Sequence, residues 1–291
     1  MPGAARARCS PRARQRRAGA RVDLIPSARG RVLVEAAIAH RRLLIELVRR
    51  EVRARFAGAR FGLLWSLINP AVQLAAYGLI FGYLYADPSR PRGTVTATLF
   101  CGLWPWWAFQ EATLRGTAAL VEQASLLRRL PMPATLPILA ATIASVGIQM
   151  LGFVLFLLVF ASIGVIEPRA AWLLLPVVLA LHVALTAGLA LFLAPLYLVV
   201  RDVMHAVSLG LMVGFFLSPV LYQLGDLPPF ARGIASLNPL AGLLGLVRTA
   251  VLGAELPPWM TLVSLVGAIG AAWHWGARLV SRIDGRIDEY C

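Results

Sequence analysis

Long uncharged stretches dominate the chain between residues 61 and 276. Six of them contain no Asp, Glu, Lys or Arg over 18 residues or more. A helix needs roughly 20 apolar residues to cross the hydrocarbon core of a bilayer. The pattern therefore predicts an all-α integral membrane protein with six transmembrane helices. The predicted spans cover residues 61–86, 93–110, 131–166, 170–200, 206–225 and 256–276.

A seventh apolar run, residues 233–247, is too short for a further span and contains Asn238-Pro239. Irregular backbone at membrane depth is tolerated where protein or a water-filled cavity surrounds it. We therefore expect residues 227–256 to form short re-entrant helices that dip into the outer leaflet before the last span.

The chain before the first span divides into two segments. Residues 1–31 hold nine Arg among Pro, Gly and Ala, and no apolar run follows them directly, which predicts a disordered basic tail rather than a secretory signal. In residues 32–60, apolar side chains recur every fourth position from Leu44 to Phe56, as in an amphipathic helix. Such a helix lies in the membrane interface or packs on a soluble partner. Its predicted i,i+4 ion pairs are Glu46–Arg50 and Glu51–Arg55.

Composition supports the membrane assignment and excludes a Walker-type site for nucleotide hydrolysis on this chain. Hydrophobic residues make up 59% of the chain and charged residues 14%, whereas soluble domains average about 25% charged residues. The net charge is +14, and every basic residue other than His is Arg. A Walker-type phosphate loop needs a Lys, so any energy from nucleotide hydrolysis has to come from a partner.

The distribution of Arg predicts the orientation. With the N-terminus in the cytoplasm, 23 Arg fall on the cytoplasmic side and 5 on the other, and the bias survives removal of the tail. The positive-inside rule therefore places both termini in the cytoplasm.

The sequence offers little support for catalysis or metal binding. The three Cys and four His lack metal-ligand spacing, and there is no HExxH or GxSxG motif. The acidic residues of the membrane region are spread over both predicted faces, so an enzyme site built from them is not indicated.

Four stretches carry a more specific pattern. A basic helix leads into the first span at Arg53–Pro70, an aromatic run occupies Cys101–Phe109, and a short loop ends in Pro at Leu126–Pro133. The fourth stretch begins at Arg201-Asp202. It continues through Ser218–Tyr222 and Leu237–Leu240 to Arg248.

In their order and spacing, these stretches resemble the permease subunit of type-2 ABC exporters, and most closely the branch that exports O-antigen, capsule and teichoic-acid polysaccharides. The resemblance covers about residues 38–285. It implies a transmembrane domain over 61–285, a homodimer, and two copies of a separate ATPase that binds ATP and Mg. It also implies a multi-pass protein of the inner (cytoplasmic) membrane whose substrate is a lipid-linked polysaccharide.

The resemblance assigns the short cytoplasmic loop to ATPase coupling. In the family this loop is a helix that docks into a cleft of the ATPase; the alternative is an ordinary basic loop. The predicted coupling residues are Leu126, Leu127, Arg128, Arg129, Leu130 and Pro131.

Aromatic side chains in the first two spans are candidates for a sugar-conducting channel, because the C–H faces of sugars stack on rings. An interfacial aromatic belt explains the same residues equally well. The candidate channel residues are Tyr77, Phe81, Trp104, Trp107 and Phe109.

The resemblance also makes the amphipathic helix an entrance gate, and isolated charges near the spans are expected to pair locally. The predicted gate residues are Arg49, Arg50, Arg53 and Phe56, and the predicted structural ion pairs are Glu111–Arg115 and Arg201–Asp202.

Two other functions remain open at this point. A type-2 ABC exporter of a drug, lipid or other small molecule shares the six-span plan. A membrane-embedded glycan-modifying enzyme would need a polar cluster on one face, which the pattern does not show.

Overall fold

A computed structural model describes residues 38–57, 62–84, 93–129 and 132–283 of the chain. The regular structure of these residues is helical throughout. Residues 170–174 and 224–226 form short 3₁₀ helices. The α-helices are α1 (Arg41–Phe56), α2 (Gly62–Leu84), α3 (Thr94–Glu122), α4 (Ala124–Arg129), α5 (Thr135–Ser162), α6 (Leu175–Val199), α7 (Val203–Leu217), α8 (Pro229–Ala235), α9 (Pro239–Leu252) and α10 (Trp259–Ile283).

Four helical segments of the described chain are long and apolar enough to cross a membrane: Leu64–Phe81, Thr135–Ser162, Ala170–Val199 and Trp259–Ile283. The chain is thus an all-α integral membrane protein. Helix α3 has 29 residues, or about 43 Å, but its second half carries charges. Helix α7 has 15 residues, or about 22 Å, less than the ~30 Å of a hydrocarbon core. The six-span topology therefore remains a prediction.

The seventh apolar run folds as a bent helix pair. The helix direction bends by 98° between α8 and α9, which is the geometry of a broken span or a re-entrant loop. The break follows from the sequence, because Pro239 opens α9 and the Asn238 side chain accepts a hydrogen bond from the Leu240 amide at 2.9 Å. The predicted 1–31 tail lies outside the described residues.

Helix α3 occupies the centre of the bundle and contacts α2, α5, α6, α7 and α9. Its first half carries large aromatic rings that pack on α5. Phe100 stacks on Phe153 with ring centroids 4.7 Å apart, and Trp104 lies 4.8 Å from Phe156. Gly152 makes room for this packing, because a Cβ there would lie 2.7 Å from Trp104.

Helices α6 and α10 pack closely through two glycines. A Cβ at Gly188 would lie 2.6 Å from Trp273, whose indole N–H donates to the Ala184 carbonyl at 2.7 Å. A Cβ at Gly276 would lie 2.8 Å from Leu191 and 3.0 Å from the Phe192 backbone nitrogen. The contact at Gly276 involves backbone, so it cannot be relieved by a rotamer change.

One end of the molecule gathers the elements that the sequence assigns to the cytoplasm. Leu44 of α1, Leu127 of α4, Leu198 of α6 and Val280 of α10 belong to one apolar cluster. The ends of these helices also carry most of the Arg of the described chain. This arrangement agrees with the predicted orientation under the positive-inside rule.

We expect Gly276→Val to destabilise the protein by about 1–3 kcal/mol, because the added side chain forces α6 and α10 apart. Thermal unfolding of the detergent-purified protein measures the effect. Gly270→Val is the matched control, since it makes the same change on the same helix where a Cβ meets nothing within 4 Å. Equal stability of the two variants would contradict the packing described.

Candidate functional site

A polar cavity of about 720 Å³ lies between α2, α3 and α5, next to the end of α1 and the start of α7. Helix α3 contributes residues spaced three or four apart, which places them on one face of the helix. The lining residues are Arg55, Trp65, Ser66, Asn69, Pro70, Gln73, Trp107, Gln110, Glu111, Leu114, Arg115, Ala118, Glu122, Gln149, Met204 and Ser208.

An ion pair between Arg55 and Glu111 joins the end of α1 to the middle of α3. Gln149 of α5 donates its side-chain N–H to the second Glu111 oxygen at 2.6 Å. The Arg55 and Glu111 side chains are 18% and 26% exposed, so the cavity reaches the surface of the single chain. The carboxylate of Glu111 on α3 thus contacts side chains of both α1 and α5.

The predicted Glu111–Arg115 pair is not formed. Arg115 lines the same cavity but makes no ion pair with a described residue. Local i,i+4 pairs contribute only about 0.2–0.5 kcal/mol, so the packing of α1 on α5, which brings Arg55 beside Glu111, decides the partner. The sequence alone did not reveal the pairing because 56 residues separate the partners.

Helix α2 presents two amide side chains to the cavity. Asn69 and Gln73 are one turn apart, and both are exposed in the single chain. They lie inside the segment Leu64–Phe81 that is long and apolar enough to span a membrane. Amides facing hydrocarbon without partners are unfavourable, so this face of α2 requires water, substrate or protein beside it.

The structure separates the five candidate channel residues. Only Trp107 lines the polar cavity. Trp104 is fully buried and donates to the Gln149 carbonyl at 2.7 Å, so its ring fills the α3–α5 core and does not line the polar cavity of the single chain. Phe109 is 6% exposed and borders a separate apolar groove. Tyr77 and Phe81 pack partly buried against the main core.

Helix α1 is amphipathic, as predicted, and packs on α5. Leu47 is buried in a cluster with Leu136 and Ala140 of α5. Among the predicted gate residues, Phe56 is half-buried, whereas Arg49, Arg50 and Arg53 are exposed on the outer face.

The two ion pairs predicted within α1 are wrong. Glu46 instead accepts from Arg49 at 2.8 Å, and Glu51 accepts from the Gln123 side chain at the end of α3 at 3.2 Å. The first difference is small, because Glu46–Arg49 and the predicted Glu46–Arg50 are both exposed pairs on the helix surface, at i,i+3 and i,i+4. The second links α1 to the segment that leads into α4.

The predicted coupling loop contains the six-residue helix α4. Leu126 and Leu127 anchor it, since each packs against a buried apolar cluster at this end of the bundle. Arg128 and Arg129 are exposed. Helix α4 thus has an apolar side fixed to the bundle and a cationic side that faces outward. Leu130 and Pro131 lie outside the described residues.

Arg201 and Asp202 form no ion pair in the described chain. The Arg201 guanidinium lies 5.4 Å from the centre of the Tyr197 ring, a cation–π contact. Asp202 occupies the N-cap position of α7 without a side-chain capping hydrogen bond. Its negative charge still favours the helix N-terminus.

The aromatic stretch Cys101–Phe109 meets the stretch from Arg201 to Arg248 near the N-terminal end of α3. Arg248 of α9 is 5% exposed and donates to the Val220 carbonyl at 3.1 Å. The Asn238 side chain donates to the Ser218 hydroxyl at 2.9 Å. A Cβ at Gly102 would lie 2.1 Å from the Val220 oxygen, so only glycine permits this contact with α3. These contacts fix the α7–α8 connection on the bundle.

Sequence reasoning missed Arg55, Asn69, Gln73 and Gln149 as cavity residues. A signal was present for the two amides of α2, because they lie four residues apart in an otherwise apolar helix. No local signal marked Arg55 or Gln149. The described residues contain no group of three or more His, Cys, Asp or Glu placed to hold a metal ion.

Comparison with known proteins identifies the family. The profile described as ABC-2 type transporter matches residues 42–252. The chain is 29% identical over 262 residues to the O-antigen export system permease protein RfbA of Myxococcus xanthus, covering 89% of this chain and 97% of that protein. It is 25% identical over 204 residues to the protein of the same name from Klebsiella pneumoniae, covering 69% and 77% of the two chains. It is 24% identical over 213 residues to the polysialic acid transport protein KpsM of Escherichia coli, covering 73% and 82%. Since the family profile spans most of this sequence, the chain belongs to the ABC-2 type transporter family.

Proposed function

We propose that this chain is the membrane-spanning permease subunit of an ATP-driven exporter that moves polysaccharide out of the cytoplasm. The observation that carries the proposal is the polar cavity within an otherwise apolar helical bundle. Family membership supports a transport role rather than an enzymatic one. The relatives named for O-antigen export and polysialic acid transport support a polysaccharide as the cargo.

The cavity chemistry suits a hydroxyl-rich polymer. Asn69, Gln73 and Gln110 offer amide donors and acceptors, and Trp65 and Trp107 offer ring faces. Such a lining exchanges hydrogen bonds with many sugar hydroxyls without requiring one fixed sequence of sugars. The relatives give no support to the alternative of a drug or other small-molecule cargo.

A homodimer accounts for the exposed polar face. Asn69 and Gln73 are exposed at membrane depth, and the ion pair of Arg55 and Glu111 is only partly buried in one chain. Hydrocarbon against these groups is strongly unfavourable. A second copy that closes the cavity would enclose a hydrophilic path and remove that contact. We therefore propose two copies around one path, in the inner membrane.

The energy source is a separate ATP-binding subunit, as the family implies. The chain contains no Lys for a Walker-type loop. Helix α4 is the proposed docking element, because Leu126 and Leu127 fix it to the bundle while Arg128 and Arg129 remain exposed for a partner. ATP and Mg would bind on that partner.

Deletion of the gene in the organism that carries it tests the function. We expect long-chain surface polysaccharide to disappear from an electrophoretic gel and polymer to accumulate in the cytoplasm, with both effects reversed by the wild-type gene. Unchanged surface polysaccharide together with increased sensitivity to a small toxic compound would instead favour the small-molecule exporter.

We expect the double substitution Arg128→Glu/Arg129→Glu to abolish stable association with the ATPase, because it reverses the charge of the proposed docking surface. Co-purification of the ATPase with the tagged permease measures the effect. The Arg128→Lys/Arg129→Lys variant keeps the charge and should retain the ATPase. Normal co-purification of the Glu variant would remove α4 from the interface.

A further inference from the structure

A second cavity, of about 560 Å³, lies between the C-terminal ends of α6 and α10, on the side of the bundle that carries α1 and α4. It is separate from the polar cavity and shares no residue with it. We call its aliphatic and Phe side chains, Phe192, Leu196 and Leu279, the floor, and its two arginines, Arg278 and Arg282, the rim. The lining residues are Phe192, Leu196, Trp275, Arg278, Leu279, Ser281 and Arg282.

The charge of this second cavity is unbalanced. Arg278 and Arg282 both line it, and no acidic side chain of the described residues 38–57, 62–84, 93–129 and 132–283 does. Neither arginine forms an ion pair with any residue of the described chain. The two are one helical turn apart, about 6 Å along the axis, so their guanidinium groups can share one phosphate.

The combination of an exposed indole, apolar side chains and two arginines around the cavity favours a lipid over a soluble anion. Trp275 is 54% exposed, as expected of an indole in the interfacial belt, and the Arg278 guanidinium lies 5.2 Å from the centre of its ring. Phe192, Leu196 and Leu279 offer an apolar surface for a hydrocarbon chain. A soluble phosphate would use the rim and leave the apolar floor uncovered.

We propose that this cavity binds an anionic phospholipid of the cytoplasmic leaflet. Its phosphate lies between Arg278 and Arg282, and one acyl chain covers the floor formed by α6 and α10. Basic pockets between transmembrane helices on the cytoplasmic side are suited to such head groups. The bound lipid then fills the cavity beside the close contact that α6 and α10 make at Gly276.

Native mass spectrometry of the purified transporter, loaded with phosphatidylglycerol or with phosphatidylcholine of the same acyl chains, tests the proposal. We expect the wild type to retain phosphatidylglycerol about tenfold better than phosphatidylcholine, and Arg278→Gln/Arg282→Gln to lose that preference. Arg41→Gln/Arg42→Gln is the matched control, since it removes two exposed arginines near the same membrane surface but outside the cavity. It should keep the preference.

Three results would overturn the proposal. The first is an unchanged preference in the Arg278/Arg282 variant, and the second is an equal loss in the control, which would indicate attraction to overall charge. The third is full competition by soluble glycerol phosphate, which would show that the apolar floor contributes nothing. If the Arg278→Gln/Arg282→Gln variant keeps its lipid preference but no longer co-purifies with the ATPase, the proposal is overturned. The two arginines would then belong to the ATPase interface.

Discussion

The ion pair between Arg55 and Glu111 is the interaction on which the site depends. A carboxylate on a membrane helix is unfavourable unless it is paired or hydrated, and here Arg55 and Gln149 both satisfy it. Because these partners come from α1 and α5, neutralising one charge also fixes the positions of three helices around the cavity. The same two charged side chains line the cavity and make it polar.

The described contacts also connect this site to the proposed docking element. Leu47 of α1 and Leu126 of α4 belong to one apolar cluster, and Glu51 accepts a hydrogen bond from Gln123 just before α4. Helix α1 therefore shares an apolar cluster with α4 and lines the cavity at its end through Arg55. On the proposed function, a displacement of α4 by the ATPase would move α1 and change the opening of the cavity.

The sequence predicted those features that depend on local pattern. The apolar runs, the amphipathic α1 and the break at Asn238-Pro239 all follow from short-range periodicity or backbone chemistry, and the structure contains each of them. The side-chain roles were less predictable, because they depend on which helices become neighbours. Trp104 was assigned to a channel on its residue type but fills a space left by Gly152, and Glu111 was paired with its nearest cation in sequence rather than with Arg55. Neither outcome is encoded within one helix.

The most direct test of the central claim is a charge exchange measured by surface polysaccharide in complemented deletion cells. Arg55→Glu and Glu111→Arg each place two like charges together, and each alone should abolish export and lower the thermal stability of the purified protein. The double exchange restores opposite charges, and the unpaired Gln149 side-chain oxygen is available to accept from the introduced arginine. The account predicts substantial recovery of both export and stability in the double variant. Wild-type behaviour of the single variants, or a double variant as impaired as they are, would contradict it.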